Sequence, residues 1–267
     1  MLYFCASRNY QMKLFLFKIG MFLAFFIIGS GSNAQVANVL KINSPNGLME
    51  LKFYLDADGS PRYAFKAEGL PIVKDGRLGI VLKDQNSLDK GFVLDSSYTN
   101  EIDDTWTTVW GEERQIRNHY KSLNVKLTQG MGSEKRVLNL EFRLFNDGLG
   151  FRYIFPEDGN LGLFTVRDEL TTFPLDADHD AYWIPGDYDT NEFRYSRSKL
   201  SQVHSMQFSE DNNIAFKQSV HDSLVQTPLM MIAGDGYYLA IHEAALLHYP
   251  AMNLEIDRNK LELKSHL

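Results

Sequence analysis

The constraint that most limits this chain is the period of its hydrophobicity. Apolar and polar residues alternate over short runs separated by turn residues, and no long stretch sustains apolar spacing at 3.6 residues. Met49, Leu51, Phe53 and Leu55 alternate with Glu50, Lys52 and Tyr54. Asp56-Ala57-Asp58-Gly59 then supplies turn chemistry before Tyr63-Ala64-Phe65 returns, which predicts a β-hairpin. Residues 125–128 and 137–145 repeat the pattern around Gly130-Met131-Gly132-Ser133, as do residues 230–233 and 237–242 around Gly234-Asp235-Gly236. Many strands without helices between them predict an all-β fold, two antiparallel sheets packed as one large sandwich. A helical turn is expected near residues 191–200. Residues 254–263 read as one further strand, and the sequence ends just after it, so the chain is expected to be a piece of a longer protein.

The N-terminus reads as a targeting segment. Arg8, Lys13 and Lys18 flank or enter an apolar run over residues 14–28, followed by small residues ending Ser32-Asn33-Ala34. The run is shorter than the roughly 20 residues needed to span a bilayer, and nothing basic follows it. Residues 1–34 are therefore expected to be a cleavable signal peptide and residues 35–267 one mature domain, with no membrane attachment once the leader is removed. Cys5 is the sole cysteine and lies upstream of the run, so it is not the lipid-modified residue that follows such a run in a lipoprotein. A mature chain without cysteine points to the bacterial periplasm. The net charge of -7 is spread along the sequence, which argues against nucleic acid as a partner. With 44% apolar residues there is ample material for a core.

Chemistry-bearing residues concentrate in two places. Asp176, Asp178, Asp180, Asp187, Asp189 and Glu192 crowd one short region, and oxygen-rich clusters of this kind suit a hard cation such as calcium. Asp187-x-Asp189-x-Asn191 opens like a calcium loop. It then fails, because Glu192 stands where the loop needs glycine and Ser198 occupies the twelfth position. What remains is either a loop donating one or two ligands to a site completed elsewhere or an acidic surface loop with capping aspartates. Residues 106–120 form the second place, interleaving Trp106, Trp110 and Tyr120 with Arg114, Arg117, Asn118 and His119. These are ingredients of sugar recognition and equally of a sandwich strand with solvated charges. No residue is assigned a catalytic role: the clustered acids offer no means of separating two carboxyl environments, there is no G-x-S-x-G elbow, and His242-Glu243 continues as Ala244-Ala245-Leu246, not as a zinc helix.

Four segments, V-W-G-E-E-R-Q-I-R-N-H-Y, F-R-L-F-N-D-G-L-G-F-R-Y, W-I-P-G-D-Y-D-T-N-E and I-H-E-A-A-L-L-H-Y-P-A-M, occur in that order after the leader. Together they resemble the N-terminal domain of glycoside hydrolase family 97, a family of periplasmic α-glucosidases and α-galactosidases. The resemblance implies a β-super-sandwich of the galactose-mutarotase type, followed in the family by a catalytic barrel that is absent here. It implies α-linked glucosides or galactosides as substrates of the whole enzyme, and a calcium ion beside the catalytic acids that takes one ligand from this domain. In this sequence the matching residue is Glu192, with Asn191 a weaker contact. The catalytic carboxylates belong to the barrel, so the expected reading is a carbohydrate-binding front domain of a calcium-dependent exo-acting α-glucosidase, inactive alone. A stand-alone carbohydrate-binding module and a fragment of an α-galactosidase are the alternatives.

Overall fold

The structure, a computed structural model, describes residues 2–8, 39–208, 221–234, 236–247 and 249–267. Among the described residues nineteen strands follow one another: β1 (Leu2–Arg8), β2 (Leu40–Asn43), β3 (Met49–Leu55), β4 (Pro61–Ala67), β5 (Leu70–Arg77) and β6 (Ile80–Leu82). Next come β7 (Phe92–Thr107), β8 (Gln115–Gln129), β9 (Arg136–Leu144), β10 (Gly148–Ile154), β11 (Val166–Glu169), β12 (Thr172–Pro174) and β13 (Asp180–Trp183). The chain closes with β14 (Ser196–Lys199), β15 (Leu224–Gln226), β16 (Leu229–Ile232), β17 (Tyr237–Glu243), β18 (Asn253–Asp257) and β19 (Glu262–His266). The expected all-β sandwich is what forms.

One layer is a nine-stranded sheet in the order β14-β13-β16-β17-β1-β10-β9-β8-β7. The facing layer is divided into two four-stranded sheets, β2-β3-β4-β5 and β12-β19-β18-β15, with the pair β6-β11 beside them. Alternation explains which face goes inward: in β4, Tyr63, Phe65 and Ala67 are buried while Arg62, Ala64 and Lys66 are less covered. Phe53 on β3 meets Phe142 on β9 at 5.7 Å between ring centroids, and Tyr63 meets Phe151 on β10 at the same distance. Trp183, Met231, Leu239, Leu254 and Leu263 carry the same core across the other half.

The two small sheets meet where β5 runs beside β12, and three contacts seal that seam. Tyr63 donates its hydroxyl to the Thr172 carbonyl at 3.0 Å, and the Arg77 amide donates to Thr172 Oγ1 at 3.0 Å. Gly76 lies so close that a Cβ there would sit 2.2 Å from the Tyr63 ring and 2.7 Å from the Thr172 carbonyl oxygen, so only glycine fits.

Beneath the seam lies a network of carboxyl and hydroxyl groups. Glu169 is 5% exposed and accepts from the hydroxyls of Thr171 and of Tyr249, the latter at 2.9 Å. Tyr153 bonds Thr171 Oγ1 at 2.8 Å and accepts from the Gly79 amide at 3.0 Å. Burial raises the Glu169 carboxyl above its ordinary value, with the negative charge of Glu243 adding to the shift, against the two hydroxyl donors that oppose it. The group is thus biased toward its neutral form, and Tyr249 is the bolt that ties the segment after β17 to the core.

Two expectations need correction. The helical turn lies at Leu200–Gln202, one step later than expected, because residues 196–199 pair with β13 as β14 and Trp183 Nε1 donates to Ser198 Oγ at 3.0 Å. The single strand over residues 254–263 is two strands, β18 and β19. Asp257 Oδ1 accepts from the amides of Asn259 and Lys260, and Leu261 takes a φ of 53°, which turns the chain without glycine or proline. The leader's apolar run and its cut after Ala34 lie outside the described residues, but Leu2–Arg8, at its start, is a strand of the nine-stranded sheet.

Two measurements test this account. Gly47 and Gly59 share a φ of +77°, yet a Cβ at Gly47 meets nothing within 4 Å whereas one at Gly59 would sit 2.6 Å from the Phe92 carbonyl oxygen. Gly47→Ala should cost about 1 kcal/mol from backbone strain alone, and Gly59→Ala at least about twice that, in urea unfolding. For Glu169, an unfolded carboxyl loses its proton near pH 4.3 while the folded one holds on to higher pH. Stability contributed by this group is therefore full below about pH 4 and falls as pH rises through the raised folded value. Glu169→Gln should gain on the unsubstituted protein between pH 4 and pH 7, whereas Glu169→Ala, taking the acceptor from the Tyr249 hydroxyl while Thr171 keeps its bond to Tyr153, should cost about 1 to 3 kcal/mol throughout.

Candidate functional site

The acidic region becomes the segment between β12 and β13, β13 itself, the loop over residues 184–195 and the start of β14. Its backbone is held by the facing layer. Gln226 on β15 donates from Nε2 to the carbonyls of Pro185 (2.9 Å) and Thr190 (2.8 Å), and the Gly186 amide donates to the Leu224 carbonyl at 2.8 Å. On the other side Tyr188 bonds His266 of β19 at 2.7 Å and stacks on its ring. Within the loop, Asp187 Oδ1 accepts from the amides of Asp189 and Thr190, and Thr190 Oγ1 accepts from the Glu192 amide.

Most of the six acids are absorbed by the fold. Asp176 pairs with buried His179 at 3.0 Å. Asp178 accepts from both the amide and the hydroxyl of Ser201, capping the 3-10 turn there. Asp180 lies 3.5 Å from both Arg197 and Lys199 across the β13–β14 pair. Asp187 shapes the loop itself. Glu192 differs: it is exposed, and its carboxylate has no partner among the described residues. Asn191 beside it is exposed as well.

A calcium ion takes six to eight oxygen ligands. Among the described residues no group of three or more His, Cys, Asp or Glu side chains is arranged to hold a metal ion. The donors on this loop therefore fit one edge of a calcium shell, a single carboxylate with a neighbouring amide oxygen, and do not fit a complete one.

Residues 106–120 lie at the far end of the β7–β8 ribbon. β9 pairs with β8 only from Lys121 onward, so the stretch from Ile102↔Tyr120 to Thr107↔Gln115 is two strands with no third beside them among the described residues. Two of its polar side chains, Arg117 and His119, are paired within the ribbon. Arg117 makes two 2.7 Å bonds to Asp103, holding that carboxyl below its usual range, and His119 lies 2.9 Å from Glu101. Arg143 covers the Tyr120 ring at 5.0 Å. Trp106, Val109 and Trp110 are left exposed at the tip. The sugar-binding ingredients seen in the sequence thus separate: aromatic surface remains open, while Arg117 and His119 are engaged.

Glu169 escaped sequence reasoning altogether, because one glutamate in R-D-E-L-T-T carries no signal of burial. His242 and Glu243 end β17, where Glu243 Oε2 accepts from the Met252 amide at 3.0 Å and so closes the loop that Tyr249 anchors.

Comparison with known proteins agrees with this architecture. The family model described as the glycosyl-hydrolase 97 N-terminal domain matches residues 42–266. A retaining alpha-galactosidase of Bacteroides thetaiotaomicron is 23% identical over 244 residues, 86% of this chain and 32% of that protein. A family 97 glycoside hydrolase from Pseudoalteromonas sp. strain K8, solved with acarbose, superposes with a TM-score of 0.72 at 23% identity, covering 85% of this chain and 32% of that one. A beta-arabinopyranosidase follows at a TM-score of 0.69 and 16% identity, covering 85% and 35%. The chain spans about a third of the length of these relatives. With nearly all of its described sandwich inside the matched span, the chain belongs to the glycosyl-hydrolase 97 N-terminal family.

Proposed function

We propose that this chain is the non-catalytic sandwich of a calcium-dependent, exo-acting α-glucosidase of the periplasm, working on maltooligosaccharides together with a catalytic barrel. The observation that carries the reading is the isolation of Glu192 just after a loop segment, residues 185–190, that is bonded to the opposite layer. A carboxylate without a partner on a rigid support is what a metal site shared between two folding units needs from its smaller contributor. Bound calcium would supply a fixed positive charge for sugar oxygens, and Glu192 with Asn191 would hold one side of it.

The outer face of the sheet supports the presence of a docked neighbour. Tyr182 on β13 stands opposite Met230 on β16, Tyr238 lies on adjoining β17, and all three are exposed, as are Leu246 and Leu247 just beyond. Contiguous apolar surface of this kind marks an interaction site. An α-galactosidase barrel in place of a glucosidase barrel is the second reading, favoured by the name of the Bacteroides relative. A free-standing sugar module is less well supported, because Arg117 and His119 of the ribbon are engaged with Asp103 and Glu101.

The purified chain should turn over neither an aryl α-glucoside nor an aryl α-galactoside, with or without calcium, and calcium-dependent turnover would overturn the reading. Installed in place of the matching domain of the Pseudoalteromonas enzyme, the chain should support hydrolysis that requires calcium. Glu192→Ala in that chimera should raise the calcium concentration needed for half-maximal activity at least about tenfold at unchanged Tm. An unchanged calcium requirement would remove Glu192 from the site.

A further inference from the structure

The outer face of the nine-stranded sheet carries a hollow that crosses β7, β8, β9 and β10. Register sets the side chains in rows there: Ser96, Lys126, Asn139 and Ile154 stand directly opposite one another, and Tyr98 stands opposite Asn124 two residues further along. Val125 and Leu140 alternate with them and belong to the core, so both rows face away from it. Ser96 and Asn139 are short where Tyr98, Lys126 and Ile154 are long. The register of β7 also slips between Leu94 and Ser96, a bulge that bends the strand at this point. The result is a pocket of about 170 Å³ lined by these six side chains.

The polar groups of the pocket are not all spent inside the protein. Asn139 Oδ1 is buried and accepts no hydrogen bond from any described residue. The Tyr98 ring is exposed, and its hydroxyl has no partner among the described residues. Asn124 donates to Ser122 Oγ at 3.2 Å, which engages its nitrogen and leaves its oxygen available. A buried acceptor without a donor costs the desolvation of that oxygen, so a group of this kind calls for a donor from outside the chain.

These features select a class of ligand. A pyranose ring presents an apolar CH face and a rim of hydroxyls. An exposed tyrosine ring suits the first, and carboxamides, which both donate and accept, suit the second. Lys126 is the charged member of the lining, and Asp95 lies 3.6 Å from its ammonium, so the pocket favours a neutral ligand. At 170 Å³ it has room for a single sugar ring and falls short of the about 300 Å³ at which pockets for drug-sized ligands begin.

We propose that this pocket is a subsite for one ring of a neutral α-linked oligosaccharide, the ring lying against Tyr98 and one of its hydroxyls donating to Asn139 Oδ1. The linkage class rests on the proposed function. The pocket itself does not, since β7 is one edge of the sheet and Glu192 lies between β13 and β14 at the other.

Calorimetric titration of the purified chain with maltotetraose, and separately with raffinose, tests the subsite without calcium or hydrolysis. Saturable binding of at least one of the two is expected. Tyr98→Ala should weaken it at least about tenfold, while Tyr98→Phe keeps most of it. Asn139→Leu is close in size and removes an oxygen that no protein group uses, so it should weaken binding to a similar degree with Tm unchanged or raised. Trp110→Ala, at the tip of the ribbon, should leave binding as it was. Raffinose bound in preference to maltotetraose upholds the pocket and moves the enzyme reading to an α-galactosidase. A chimera whose hydrolysis ignores calcium, with this binding intact, removes the calcium reading and leaves the subsite standing. Silence with both sugars at millimolar concentration overturns the proposal. So does binding that survives Tyr98→Ala and Asn139→Leu, or that is lost with Trp110→Ala.

Discussion

A nine-stranded sheet with one apolar face needs a cover of equal width, and no single sheet among the described residues supplies it. Two four-stranded sheets share the task, so the fold depends on the seam between β5 and β12. Sheet edges carry unpaired main-chain groups, and an unsealed join would bring water to the middle of the core. The seam closes because Gly76 has no side chain, which lets the Tyr63 ring reach across and spend its hydroxyl on the Thr172 carbonyl. The same tyrosine packs at a tilt on Phe151 in the facing layer, so one residue joins the nine-stranded sheet and both four-stranded ones. Glu169, Thr171, Tyr153 and Tyr249 continue the polar lining below. A charged carboxylate in that position would need a cation, and the structure instead surrounds it with hydroxyl donors and lets burial favour the proton.

The hairpins were legible because their information is local. β3 with β4, and β16 with β17, pair across turns whose glycines and aspartates are visible in the sequence, and alternation fixes which side faces in. The division of the second layer was not legible, since nothing in strand periodicity says which edges will meet. The β18–β19 turn was missed because Asp257 makes it through side-chain acceptance, with Leu261 at positive φ where glycine would have announced it. β1 was hidden for a different reason. Its residues were read for charge and apolarity as part of a leader, and that reading says nothing of pairing with β10 and β17.

For the site, composition located the region and resemblance singled out the residue. Six acids in one stretch look alike in sequence. Only partners distinguish them: His179, Ser201, Arg197 and Lys199 account for Asp176, Asp178 and Asp180, and backbone amides account for Asp187. The ribbon shows the converse. Its arginine and histidine promised sugar contacts, yet a two-stranded ribbon with no third neighbour is marginal on its own and uses those charges across its own strands.

The position of Glu192 is set from far away. Its loop begins and ends in the nine-stranded sheet, but the bonds that fix it come from Gln226 on β15 and His266 on β19, both in the opposite layer. β15 and β19 lie in the small sheet whose other edge, β12, forms the seam with β5. A shift of that sheet across the core would carry Gln226 and His266 with it while β13 and β14 stayed behind, and the loop would be pulled out of shape. A carboxylate offered to a metal must be held within about half an ångström of its working place. The requirement therefore falls less on the loop than on the packing of Tyr63 against Gly76 and Thr172, where one missing side chain keeps the two halves of the cover in register.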